Sequence, residues 1–187
     1  MGTPRYGDSA GAVKCIHQFP GGVFPGKAIS FRATTPPGAY RFTINLQCGP
    51  NTDSNDDIAF HFNVRFPDGC VVRNHRTANT WGPEERAGGL PIRQGVAFQA
   101  RILYGLTSFK VSLNSIHFCE FFYRLPFQRI THITFGGDVT LTSINFEGAQ
   151  PQPQPPSHNL SKMPRDDVRA SAAAQDMQAS NKCIQGT

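Results

Sequence analysis

The stretch HFNVRFPDGCVVRNHRTANTWGPEER, His61 to Arg86, concentrates the polar and aromatic chemistry of this chain. Ile58, Phe60, Phe62, Val64 and Phe66 alternate with Ala59, His61, Asn63 and Arg65, and on a strand successive side chains point to opposite faces. His61, Asn63 and Arg65 are therefore expected on one face, where they present a ring donor and acceptor, an amide and a fixed guanidinium fork. The back of the same strand is apolar enough to close a core. Pro67-Asp68-Gly69 reads as a turn, because proline presets a negative φ and glycine tolerates a positive one. The run from Cys70 to Asn74 then returns beside the first strand, and the loop from Thr77 to Pro83 delivers Trp81, the only tryptophan. Glu84 and Arg86 follow two apart and share a face if extended. Singly these residues have ordinary readings: a structural histidine, surface arginines, a core tryptophan. Their joint spacing argues for a site, one with donors, acceptors and a flat apolar surface but no obvious nucleophile.

The remaining segments look like the scaffold for that site. Short runs of alternating character at 13–19, 27–33, 40–46, 96–103, 109–113, 117–122, 132–135 and 139–146 are each bounded by turn residues. Such spacing predicts an antiparallel sandwich or jelly roll rather than βαβ units. No amphipathic helix interrupts the pattern before Gly148. Composition divides the 187 residues into a small, polar arm (1–12), one all-β domain (13–148) and a Pro/Gln-rich linker with a polar tail (149–187), expected to be disordered. The domain is long enough to bury roughly 65–70% of its unfolded surface, so it needs no disulfide staples.

Charge and cysteine usage narrow the class further. The formal charge of +5 is spread over scattered arginines rather than gathered in a block, which fits a solvated mixed surface. Arg73, His75 and Arg76 are read in the same way. Five cysteines without a CxxC favour reduced thiols in a cytosolic protein. The N-terminus lacks the apolar core of a Sec signal peptide, and no apolar run approaches ~18 residues, so no membrane insertion is expected. Glu84-Glu85 does not suit a glycosidase pair, since neighbouring strand carboxylates point opposite ways and nearby arginines depress the pKa of Glu84. Cys15-Ile16-His17 and His117-Phe118-Cys119 lack structural-zinc spacing. Phenylalanine and arginine interleaved on strands leave a second reading, a β-platform for single-stranded nucleic acid, which needs solvent-facing aromatics.

The residues also resemble a known family, the galectins. The match is H-x-N-x-R at His61, Asn63 and Arg65, then Asn74, then W-G-x-E-x-R at Trp81, Glu84 and Arg86, in the family's order. With FFYRLP (121–126) and the closing ITFGGDVTLTSINF it extends over roughly 13–147. The resemblance implies a two-sheet antiparallel β-sandwich that binds β-galactosides without metal or other cofactor and without catalysis. It implies that His61, Asn63 and Arg65 hold the axial 4-hydroxyl of galactose and that Asn74 and Glu84 hold the 6-hydroxyl. Glu84, Arg65 and Arg86 would reach the neighbouring sugar, and Trp81 would lie against the apolar side of the galactose ring. Arg41 and Asn45 fall where the groove would continue. Its expected partners are β-galactoside glycans on glycoproteins and glycolipids, with no nucleic acid. Expected roles are bridging of cell-surface or microbial glycans, agglutination and innate immunity, through a homo-oligomer or a second lectin domain beyond the linker. The expected location is cytoplasmic, with release by a route that needs no signal peptide. Two departures stand out: Val64 replaces the usual proline of the H-x-N-P-R core, and the short loop between Arg65 and Asn74 lacks the additional histidine of some members.

Overall fold

The computed structural model describes residues 13–51 and 56–148. The expected arm (1–12) and the expected disordered tail (149–187) lie outside the described residues. The alternating segments become strands β1 (Val13–Gln18), β2 (Ala28–Thr34), β3 (Arg41–Gln47), β4 (Ile58–Arg65), β5 (Cys70–Thr77), β6 (Thr80–Trp81), β7 (Ala97–Tyr104), β8 (Ser108–Leu113), β9 (Ile116–Phe122), β10 (His132–Gly137) and β11 (Thr140–Glu147). They form a six-stranded sheet in the order β1-β10-β3-β4-β5-β6 and a five-stranded sheet in the order β11-β2-β7-β8-β9. Each neighbouring pair is antiparallel. The expected all-β, two-sheet sandwich is what the chain adopts.

The alternating phenylalanines join the sheets. Phe60 on β4 lies 5.2 Å from the ring of Phe109 on β8 and 5.1 Å from that of Phe121 on β9. Phe42 on β3 stacks on Phe98 of β7 at 5.5 Å, and Phe135 on β10 meets Phe31 of β2 edge-on at 5.0 Å. Each such pair contributes about 0.5–1.5 kcal/mol beyond the area it buries. The opposite face of β4 is therefore turned away from the second sheet, and it carries His61, Asn63 and Arg65. Val64, standing where a proline was expected, is fully buried on the core side.

Three local features were not anticipated. Tyr40 lies outside β3 and is 52% exposed. Its N–H and that of Arg41 both donate to the Asp138 carboxylate, at 2.7 and 3.2 Å. Residues 127–129 form a single 3₁₀ turn (Phe127–Arg129). Glu84 and Arg86 are not on a strand; only Glu85 makes a bridge, to Arg73. That bridge is nevertheless enough to point its two neighbours the same way.

The turn that sets the start of β3 depends on Gly137, whose φ is +79°. A Cβ there would lie 2.6 Å from the Arg41 carbonyl oxygen and 3.0 Å from the Phe42 Cα, both backbone atoms that cannot swing aside. Gly137→Ala is expected to cost at least about 2 kcal/mol, combining left-handed strain with the clash. A lower urea midpoint at unchanged m-value would register it.

Candidate functional site

Strand register builds the floor of the site. Asn45 on β3, His61 on β4 and Asn74 on β5 stand opposite one another across three strands, and Arg41 stands opposite Arg65. The turn after Phe66 fixes this register, closed by the Gly69 N–H donating to the Phe66 carbonyl at 3.1 Å. Once Arg65 faces Cys70, His61 must face Asn74.

The wall comes from β6, which pairs Trp81 with Arg76. The indole lies 4.6 Å from the His61 ring, tilted by 56°, with the Arg76 guanidinium 5.5 Å from its centroid. Asn74 ties this wall to the floor, donating through Nδ2 to the Gly82 carbonyl at 2.8 Å and accepting the His75 N–H on Oδ1 at 2.8 Å. A side chain at Gly82 would meet the His75 ring and have to push it aside.

The charged rim is an interlocked trio. Arg65 Nη2 donates to Glu84 Oε1 at 2.7 Å, and Arg86 Nε donates to Glu84 Oε2 at 2.8 Å. Burial alone would raise the Glu84 pKa, but hydrogen bonds from Arg65 and Arg86 hold it below the usual carboxylate range. It stays ionised and accepts bonds, as a general acid would not. Glu85 points the other way and pairs with Arg124 at 2.9 Å. His61 is pushed to a pKa of about 3, by burial first and the charge of Arg65 second, so its imidazole is neutral. Among the described residues no cluster of ligating side chains capable of holding a metal ion is found.

These residues bound two adjoining hollows. One of about 190 Å³ is lined by His61, Arg65, Asn74, Trp81, Gly82 and Glu84. The other, about 240 Å³, is lined by Tyr40, Arg41, Arg65, Pro67, Asp68, Glu84 and Arg86. Arg65 and Glu84 belong to both. Of the sequence-predicted residues, Asn63 and Asn45 line neither. Asn63 is buried on the same strand face, and its Oδ1 has no hydrogen-bond partner. Asn45 lies behind His61, bonded to its Nδ1 at 2.6 Å, while Arg41 alone marks the continuation of the groove.

A flat indole, a neutral histidine and a fixed carboxylate between two guanidiniums suit a ligand with many hydroxyls and an apolar ring face. The sequence profile of the galactoside-binding lectins matches residues 14–146. The chain belongs to the galectin family. Galectins are carbohydrate-binding lectins and not enzymes. Galectin-4 of Bos taurus is 40% identical over 134 residues, covering 71% of this chain and 40% of that protein. Galectin-7 of Homo sapiens is 38% identical over 127 residues, covering 68% of this chain and 92% of that protein. The chain thus spans about 40% of the length of the bovine galectin-4 it matches. Among solved structures, sheep galectin-11 in complex with glycerol superposes with a TM-score of 0.64 at 22% identity, covering 71% of this chain and 96% of that one. Galectin LEC-6 of Caenorhabditis elegans also gives 0.64, at 25% identity over 72% and 90% of the two chains.

Two readings change within this galectin fold. The nucleic-acid platform is not favoured, because Phe31, Phe42, Phe60, Phe62, Phe109, Phe121 and Phe135 are buried and Phe122 is the one phenylalanine among the exposed large hydrophobics of the described residues. Arg73 and Arg76 are not part of a solvated face, since both are buried. Arg73 faces Phe62 across the ladder, so its guanidinium enters the core side, donating to the Val71 and Ala87 carbonyls at 2.9 and 2.6 Å beside the Phe118 ring. Arg76 is anchored by the Asp56 carbonyl at 2.8 Å and supports Trp81. The signal that identifies both is the register, which places each beside an aromatic ring.

Proposed function

We propose that residues 13–148 form one metal-independent carbohydrate-recognition domain that binds β-galactosides such as lactose and N-acetyllactosamine. The observation that carries this reading is the pair of adjoining hollows sharing the Arg65–Glu84 ion pair, with Trp81 walling one of them. Galactose occupies the hollow at Trp81, its weakly positive C–H face against the negative face of the indole. His61 and Arg65 serve its axial 4-hydroxyl, Asn63 reaches that hydroxyl only if its buried amide, which lines neither hollow, turns toward the ligand, and Asn74 and Glu84 serve its 6-hydroxyl. The neighbouring sugar occupies the second hollow, held by Arg65, Glu84 and Arg86, and Arg41 at its far side tunes preference for longer glycans.

Selectivity against glucose follows from the hydrogen-bond count. Moving one hydroxyl leaves oriented donors and acceptors unsatisfied, at about 1–3 kcal/mol each. Bridging of cell-surface or microbial glycans requires two such sites held together, which raises avidity by about 10²–10⁴. Self-association or a second lectin domain would supply the second site.

Lactose–agarose chromatography tests the reading. The protein is expected to be retained equally with and without chelator, to elute with lactose and to resist glucose. Release by salt alone, together with tight oligonucleotide binding, would overturn it in favour of the nucleic-acid platform.

A further inference from the structure

Behind His61 runs a buried chain of hydrogen bonds with a fixed direction. Gln47 Nε2 donates to two backbone carbonyls, Gly49 at 2.7 Å and Asn51 at 3.1 Å. Carbonyls only accept, so both hydrogens of this amide are committed and Gln47 Oε1 is fixed as an acceptor. Thr134 Oγ1 donates its single hydrogen to that oxygen at 3.2 Å, and therefore meets Asn45 Nδ2, also at 3.2 Å, as an acceptor. That fixes the Asn45 amide as well, turning Oδ1 toward His61 Nδ1, 2.6 Å away. Facing an oxygen that only accepts, Nδ1 must carry the ring proton. All four side chains are buried, so water does not randomise the chain. The neutral state of the imidazole, with its pKa near 3, means that the ring holds one proton only.

We propose that Gln47, Thr134 and Asn45 are positioning residues that lock His61 as the Nδ1–H tautomer, so that the hollow presents a bare Nε2 and requires a hydroxyl that donates. A ligand hydroxyl has one hydrogen. If it donates that hydrogen to His61 Nε2, its oxygen is left to accept from Arg65, which has only donors. The relay thus converts a histidine that is neutral in donor preference into a one-way acceptor. Groups that accept but cannot donate, such as fluorine or a methyl ether in place of the hydroxyl, are excluded. This proposal rests on the β-galactoside reading for the identity of the hydroxyl, but the tautomer itself does not depend on any ligand.

The experiment has a spectroscopic arm and a binding arm. Two-bond ¹H–¹⁵N correlation spectra of the full chain without sugar are expected to show His61 protonated on Nδ1 and bare on Nε2. Thr134→Val keeps the shape but removes the hydroxyl, releasing the Asn45 amide to turn Nδ2 toward the ring, so the Nε2–H tautomer should appear. Thr134→Ser should restore the wild-type pattern. In calorimetry, Thr134→Val is expected to weaken lactose binding about tenfold, the value of one good hydrogen bond. It should also narrow the preference for lactose over its 4′-deoxy-4′-fluoro analogue, which a general loss of packing would leave unchanged. If Thr134→Val does not fold, Gln47→Met breaks the relay at its other end and should give the same two changes. An Nε2–H tautomer in the wild type, or an unaltered tautomer and unaltered fluoro-analogue preference in a folded relay variant, would overturn the proposal. A wild type that shows the Nδ1–H tautomer but no lactose binding would instead sink the galactoside reading and leave the relay standing.

Discussion

Arg65→Ala is expected to abolish retention on immobilised lactose while leaving the thermal midpoint almost unchanged. The two effects separate because of where the guanidinium sits. Its side chain is 21% exposed and its partner Glu84 31%, so as a contribution to folding the pair is a surface salt bridge worth about 0–1 kcal/mol. For binding, the same group borders both hollows. Losing two charge-assisted bonds, one to each sugar, would cost roughly 3–6 kcal/mol, a hundredfold or more in affinity. Arg65→Lys should rescue little, because lysine keeps the charge and loses the planar fork. Trp81→Ala should fail on the column as completely, through loss of the apolar wall. Trp81 is packed between the His61 ring and the Arg76 guanidinium, so its midpoint is the sterner control. If either variant unfolds, its residue is structural; if Arg65→Ala still elutes with lactose, the assignment of the hollows is wrong.

What the sequence made legible, and what it hid, divides along a physical line. Strands with strict alternation are bounded to within two residues at their ends, except that β5 runs three residues past Asn74 to Thr77. Tyr40 continues the apolar periodicity of 42, 44 and 46, but its N–H and that of Arg41 both donate to the Asp138 carboxylate, and β3 begins one residue later, at Arg41. β6 is two residues long, too short to carry any period. The grouping of His61, Arg65, Asn74, Trp81, Glu84 and Arg86 is readable because all six fall within one 26-residue stretch, so counting from the Pro67-Asp68-Gly69 reversal recovers the pairing of His61 with Asn74.

Side chains whose environment is set across the sheet were not readable in that way. Arg73 and Arg76 look like solvated charges in a string of letters, and only the ladder shows each beside an aromatic ring. Asn45 was placed at the far end of the groove, whereas the β3–β4 register seats it against His61. Thr134 drew no attention at all. Its partner Gln47 is 87 residues away in sequence, and no local pattern marks a threonine that orients an amide. Sequence therefore discloses the groups that would touch a ligand more readily than those that determine how they are presented.

The burial of His61 also has a consequence for stability, which is expected to fall as pH drops from 6.5. In the unfolded chain the imidazole takes up a proton near its usual 6.5, while in the fold burial and the charge of Arg65 hold it neutral down to about 3. Below 6.5 the unfolded state therefore binds a proton that the native state refuses, and stability declines by about 1.4 kcal/mol per pH unit. By pH 5 the loss is about 2 kcal/mol, and it levels off only as pH approaches the folded value. Glu84, Asp57 and Glu147, whose pKa values are lowered in the fold, add their own loss only further down, below usual values of 4.5, 3.8 and 4.5. His75 is the competing source in the upper window, since burial and then Arg124 lower its pKa too. Urea unfolding at pH 7, 6 and 5 separates the two. His61→Gln is expected to remove most of the slope and His75→Gln little of it, because His75 is half-buried rather than enclosed. Lactose retention by the wild type should stay flat across the same range for as long as the protein is folded, since the neutral ring that accepts the hydroxyl persists there. A midpoint that does not change between pH 7 and 5 would mean that His61 is charged or open to solvent, and the neutral acceptor would have to be given up.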